Sequence, residues 1–138
     1  MPAARWGHSA VALDGKLILF GGSNTTHCFN DTWSMELNVE NDKLVATWTL
    51  LLDGDKLPAP PARAGQTASL VGTSLYIFGG CHISEVFNDV WKLDLRPASG
   101  ALRRERIIAS GTPPAPRVGH AAVVLGDRII LCGGRGSA

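Results

Sequence analysis

The sequence predicts an all-β protein built from small four-stranded antiparallel sheets. Three observations predict it. Stretches of the chain recur in register at steps of 58 and 54 residues. Each recurrence carries short apolar segments separated by turn residues. No window sustains the i, i+3, i+4 spacing of an amphipathic helix, so helix is expected to be nearly absent.

The repeat is visible at many points. Arg5-Trp6-Gly7-His8 aligns with Arg63-Ala64-Gly65-Gln66 and with Arg117-Val118-Gly119-His120. Double glycines follow at Gly21-Gly22, Gly79-Gly80 and Gly133-Gly134. Phe29-Asn30-Asp31-Thr32-Trp33 returns as Phe87-Asn88-Asp89-Val90-Trp91. In the first period the expected strands are His8–Leu13, Lys16–Phe20, Thr32–Leu37 and Ala46–Leu52, with Asp14-Gly15 as a two-residue hairpin turn. The second period gives Gln66–Val71, Ser74–Phe78, Val90–Leu95 and Leu102–Ile108. The third supplies two strands around Gly126-Asp127. Repeat 1 thus covers about 5–62, repeat 2 about 63–116, and a partial repeat 3 about 117–138.

One small sheet cannot bury both faces alone. Stacking such sheets around a common axis does bury them, and the product is a β-propeller. The Arg-x-Gly-His lead-in, the double glycine, the Asn-Asp-x-Trp segment and Trp48 on strand four together resemble the kelch repeats over nearly the whole chain. The resemblance implies an incomplete kelch propeller of about two and a half blades, with the architecture of the galactose-oxidase central domain. One departure is visible: counting from Trp91 as from Trp33 puts Arg106 where Trp48 stands. Closure needs at least about four blades, on the order of 220 residues at this period. The chain therefore reads as a piece of a larger propeller. Its terminal faces are expected to be apolar, Val11, Leu13, Leu17 and Leu19 at one end and Val123, Leu125, Ile129 and Leu131 at the other. Such faces favour self-association of the isolated piece.

Composition narrows the function. Thirteen Lys+Arg against twelve Asp+Glu leave a charge of +1, with 18% charged residues, so no nucleic-acid partner is expected. No apolar run approaches the ~20 residues that span a bilayer, so no membrane insertion is expected either. The three cysteines, Cys28, Cys81 and Cys132, show no CxxC and are expected as free thiols of a cytoplasmic protein, with the nucleus as the second compartment.

Topology places the informative loops. In a four-strand meander the two-to-three loops and the four-to-one connections emerge on one face. That face collects residues 23–30 and 81–88 and the proline-rich linkers 53–63 and 110–117. The opposite face receives the hairpins and the loops 38–45 and 96–101. Long loops on a rigid scaffold carry recognition, so the first face is the candidate. Arg5, Trp6, His27, Arg63, His82, Glu85 and Arg117 are its candidate partner-binding residues. Structurally, Arg5, Arg63 and Arg117 would bind carbonyls or the Asp31 and Asp89 carboxylates. Functionally, they would ring the mouth and suit acidic or phosphorylated peptides. Gly21, Gly22, Gly79, Gly80, Gly133 and Gly134 precede no helix and no Lys-Ser/Thr, so close packing and positive φ are favoured over a phosphate cradle. Asn30, Asp31, Trp33, Trp48, Asn88, Asp89 and Trp91 are assigned to structure.

No catalytic, cofactor or metal site is expected. His27-Cys28 and Cys81-His82 are soft ligand pairs in corresponding loops, but reversed in order and without the spacing of structural zinc sites. No nucleophile elbow is present, and the single tyrosine, Tyr76, argues against a copper-radical site. Glu85 and Asp89 have the spacing of the iron site of the kelch-type plant specifier proteins, but Leu93 stands at the third position. The function expected is a non-catalytic interaction or scaffold module with a protein or peptide partner, within a larger kelch protein such as a ubiquitin-ligase substrate adaptor. The alternative is a piece of a kelch-propeller enzyme or metal-dependent specifier.

Overall fold

A computed structural model describes residues 1–136. The described residues hold twelve β-strands and no helix. Blade one is β1 (Ser9–Leu13), β2 (Lys16–Phe20), β3 (Thr32–Glu40) and β4 (Lys43–Leu52), paired in that order and antiparallel throughout. Blade two uses β5 (Thr67–Val71), β6 (Ser74–Phe78), β9 (Val90–Asp94) and β10 (Arg103–Ile107) in the same order. Between β6 and β9 lies a short ladder that sequence reading missed, β7 (Cys81–His82) with β8 (Glu85–Val86). Two residues per strand are too few for a periodicity signal. The third repeat is the hairpin β11 (Val118–Leu125) with β12 (Arg128–Arg135).

The core forms where blade one meets blade two. Ile18 and Phe20 pack against Leu75, Ile77, Trp91 and Leu93, with Val11, Leu13, Leu51 and Leu52 at the margin. Strand alternation explains the choice: every second residue of β2 points toward blade two. The expected terminal faces mixed the two sides and need correction. Val11 and Leu13 pack against this core, whereas Leu17 and Leu19 belong to the other face of β1–β2. Likewise Ile129 and Leu131 line the contact with blade two, while Val123 and Leu125 are exposed.

Two further expectations change in register. The loop expected at 38–45 is a strand–turn–strand: β3 runs to Glu40, β4 starts at Lys43, and only Asn41-Asp42 turn, both at positive φ (50° and 60°). The longer hairpin displaces the count that set Arg106 against Trp48. Trp48 lies opposite Met35, whereas Arg106 lies opposite Trp91, as Leu50 lies opposite Trp33. The residue opposite Leu93, and so equivalent to Trp48, is Arg104. Its guanidinium donates to the Asp53 carbonyl at 2.8 Å and to the Lys56 carbonyl, strapping the preceding linker to the outer strand of blade two.

Candidate interaction face

The lead-in arginines belong to a repeated buckle. Arg5 grips Asp31 with two bonds, at 2.6 and 3.0 Å, and donates to the Gly21 carbonyl at 3.0 Å. Arg63 does the same with Asp89, at 2.6 and 2.9 Å, and with the Gly79 carbonyl at 2.9 Å. The indoles of Trp33 and Trp91 donate to the same carboxylates at 2.7 and 2.8 Å. Each guanidinium also lies over a phenylalanine ring, Arg5 at 3.9 Å from Phe29 and Arg63 at 4.2 Å from Phe87. The recurring Phe-Asn-Asp-x-Trp is thus one hydrogen-bonded unit: Phe stacks on the arginine, Asp holds it, and Trp completes the carboxylate's shell. Asn30 ties in the linker by donating to the Gly54 and Pro60 carbonyls, both at 3.1 Å, and Asn88 reaches Pro114 O at 3.2 Å.

The buckle changes the reading of the mouth. The Arg5 side chain is 4% exposed and that of Arg63 0%, so neither offers its charge to a partner. A bidentate pair of this kind is strong only when both groups are fully satisfied. Burial by itself pushes the Asp89 carboxyl up, but the bonds and charge of Arg63 and the Trp91 indole outweigh it and hold it below the usual value. Arg117 is half-buried and donates to Ala115 O at 3.2 Å and Gly133 O at 3.0 Å.

The double glycines lie where backbone passes backbone. Gly80 N–H donates to the Arg117 carbonyl and Gly22 N–H to the Arg63 carbonyl, both at 2.8 Å, linking each blade to the next lead-in. A Cβ on Gly79 would stand 2.7 Å from Arg117 O, and one on Gly80 2.9 Å from Ala64 O. Both also have positive φ, which disfavours any other residue. Further in, Gly65 N–H donates to Gly7 O and Gly119 N–H to Gly65 O, each at 2.9 Å, so the lead-ins run side by side from blade to blade.

On this framework the other expected face residues stay accessible. Trp6 is 55% exposed although its backbone pairs with Ser23 in both directions. His27 is exposed on a loop closed by Asn24, whose side-chain oxygen accepts the N–H groups of Thr26 and His27 at 2.9 and 2.8 Å. Glu85 is exposed and His82 half-buried, and between them Ile83 is 89% exposed at positive φ. Sequence reading missed Ile83 because one isoleucine in a loop carries no pattern. Beside His27 an open depression of about 210 Å³ is lined by residues 27–31 and by Asp53, Gly54 and Asp55.

The soft ligands do not gather. Among the described residues no group of three or more His, Cys, Asp or Glu could hold a metal ion. All three cysteines are free. Burial, and next the neighbouring Cys81, push the Cys28 thiol up, with the Ile83 backbone opposing. Glu85 is exposed, Asp89 is held by Arg63, and Leu93 is fully buried.

Four-stranded antiparallel blades, joined by lead-in arginines and double glycines, define a β-propeller assembly. The chain belongs to the Kelch-repeat family: the family model described as the KLHDC2/KLHL20/DRC7 Kelch-repeats domain matches residues 1–138. It is 34% identical over 140 residues to Rho GTPase-activating protein gacHH of Dictyostelium discoideum, covering 96% of this chain and 8% of that protein. Acyl-CoA-binding domain-containing protein 4 of Arabidopsis thaliana is 36% identical over 132 residues, covering 95% and 18%. Kelch domain-containing protein 3 of Bos taurus is 32% identical over 138 residues, covering 98% and 33%. The chain therefore spans a third or less of these relatives. The solved structure of YjhT superposes with a TM-score of 0.71 at 20% identity, over 99% of this chain and 36% of that one, and shares the fold.

Proposed function

We propose that this chain is a non-catalytic protein-interaction module that presents the β2–β3 and β6–β9 loops and the lead-in ends of one propeller face to a protein or peptide partner. The observation that carries the reading is the division of labour on that face. The buckles consume Arg5, Arg63, Asp31 and Asp89 internally, and they leave Trp6, His27, Ile83 and Glu85 exposed above a rigid frame. Exposed aromatic and aliphatic groups on a fixed scaffold are anchors of the kind that dominate binding energy. With Arg5 and Arg63 neutralised, an acidic peptide loses its main attraction, and apolar anchoring becomes the principal term.

The relatives support a module. Their names describe a Rho GTPase-activating protein, an acyl-CoA-binding protein and a flagellar dynein chain, and this segment matches only a small share of each. A larger kelch protein, such as a ubiquitin-ligase substrate adaptor in the cytoplasm or nucleus, is the setting we infer. Photo-crosslinking tests the face. A benzophenone side chain at position 6 or 83 is expected to capture a discrete partner in cells, and one at position 42 on the opposite face is not. Equal capture from both faces would overturn the reading.

A further inference from the structure

We propose that the cavity between blades one and two, at the β1–β2 hairpin, binds a small free organic acid with an apolar middle and a hydroxyl at its far end. Both blades that enclose it have all four strands, and none of its lining comes from the loops described above. Its volume is about 230 Å³, below the roughly 300–1,000 Å³ of sites for larger ligands. Leu13, Ile18, Leu51 and Leu95 form its apolar walls. Leu51 is there because the register of β3 on β4 shifts. Leu52 lies opposite Thr32 and Leu50 opposite Trp33, so Leu51 is the extra residue of a bulge. A bulge re-aims a side chain, and this one packs Leu51 against the core shared with blade two.

Two polar features of the cavity select the ligand. The first is Ser34, which lies opposite Ile18 and therefore on the side of β3 that faces blade two. It is 7% exposed, and its hydroxyl opens on the cavity without a hydrogen bond to any described residue. A buried hydroxyl among leucines favours a guest with a polar atom beyond its apolar body. The second is the mouth, where Lys16, Arg96 and Asp14 stand. Arg96 pairs with Asp14, and Lys16 pairs at 3.3 Å with Glu36, which is not part of the lining. These four side chains are 45–59% exposed, and such pairs are weak enough to exchange partners. The lining thus holds two cations against one carboxylate. A ligand carboxylate gains Lys16 and Arg96, whereas a cationic group would find only Asp14, already held by Arg96. An acid that reaches from this mouth across the leucines to Ser34 meets a complement at each point.

The probe is para-hydroxybenzoate, with two comparators: benzoate lacks its hydroxyl and para-cresol lacks its carboxylate. Each is titrated into the 138-residue chain and followed by ligand-observed NMR. The probe is expected to bind with a submillimolar dissociation constant, at least threefold tighter than benzoate and at least tenfold tighter than para-cresol. Ser34→Ala should abolish the advantage over benzoate, and Ser34→Leu, which fills the cavity, should remove binding of all three. Lys16→Gln should weaken the probe at least threefold and leave para-cresol unchanged. Lys16 has a half-exposed side chain, so this variant tests the site even where a change at Ser34 disturbs the blade. No saturation at millimolar probe, equal affinities for the three compounds, an advantage over benzoate that survives Ser34→Ala, or an unchanged affinity in Lys16→Gln would each overturn the proposal.

Discussion

Asp89 has both carboxylate oxygens committed, one to Arg63 and the other to Arg63 and the Trp91 indole. Asp89→Ala would leave Arg63 fully buried beside carbonyls alone, and breaking such a pair from one side costs about 3–5 kcal/mol. Asp31→Ala should cost less, because its carboxylate is 20% exposed against 9% for Asp89. Urea unfolding midpoints should rank wild type, then Asp31→Ala, then Asp89→Ala. The reverse order would mean the two buckles are not graded by burial. His120 supplies a pH dependence. It is buried with Nε2 on the Thr67 hydroxyl at 2.9 Å and Nδ1 without a partner, edge-on to Phe78. Burial first, and then the charge of Arg117, hold its pKa below the ordinary value, with the Phe78 backbone opposing. The folded chain thus binds this proton less readily than the unfolded one. Stability from this group is complete above about pH 6.5 and is lost as pH falls through the depressed value. Gln66 occupies the same place in blade two and donates to the Phe20 carbonyl at 3.1 Å. His120→Gln should therefore flatten the fall of stability as pH drops below about 6.5, measured as thermal midpoints. An unchanged slope would remove His120 as its source. The buckle itself was half legible in the sequence. The recurrence of Arg and Asp at matched steps allowed either a carboxylate partner or a charged mouth, and only burial decides between them.

Strand elements show where local signals suffice. β2 and β6 match their expected bounds because an apolar run flanked by a turn and a double glycine leaves no other register. β3 and β4 run longer than expected because their outer halves, with Val39 and Leu44 exposed, extend beyond the sheet core and carry no buried face to read. Their turn, Asn41-Asp42, needs positive φ at both residues, a geometry in which Asn-Gly is favoured over Asn-Asp. Asp42→Gly is expected to raise stability by about 0.5 kcal/mol, seen as a higher unfolding midpoint with unchanged denaturant dependence. A loss would show that the Asp42 side chain contributes something beyond its backbone. The equivalence of Arg104 with Trp48 escaped the sequence for the same reason: hairpins of unequal length break a count taken from the tryptophans.

At the scale of the molecule, repetition made the fold legible while assigning faces to blades required the packing. The alternation of β1, β2 and β12 sends half of each apolar set inward, so Val123, Leu125 and Ile130 of the far hairpin share its outward face, exposed at 61%, 66% and 47%. These three share one apolar sheet face, and stacking against another sheet is the way blades one and two cover theirs. The 138-residue chain is therefore expected to self-associate at micromolar concentration through this face. Sedimentation velocity should show species larger than 14.6 kDa, growing with concentration. Val123→Lys with Leu125→Lys should shift the distribution toward monomer, because two charges buried against a second apolar sheet cost more than the contact returns. Those side chains face away from blade two, so the double variant should keep its β-rich circular dichroism and its unfolding midpoint within about 0.5 kcal/mol of wild type. A wild-type chain that stays monomeric at high concentration, or a double variant that associates as strongly, would show that this face is not what brings copies together.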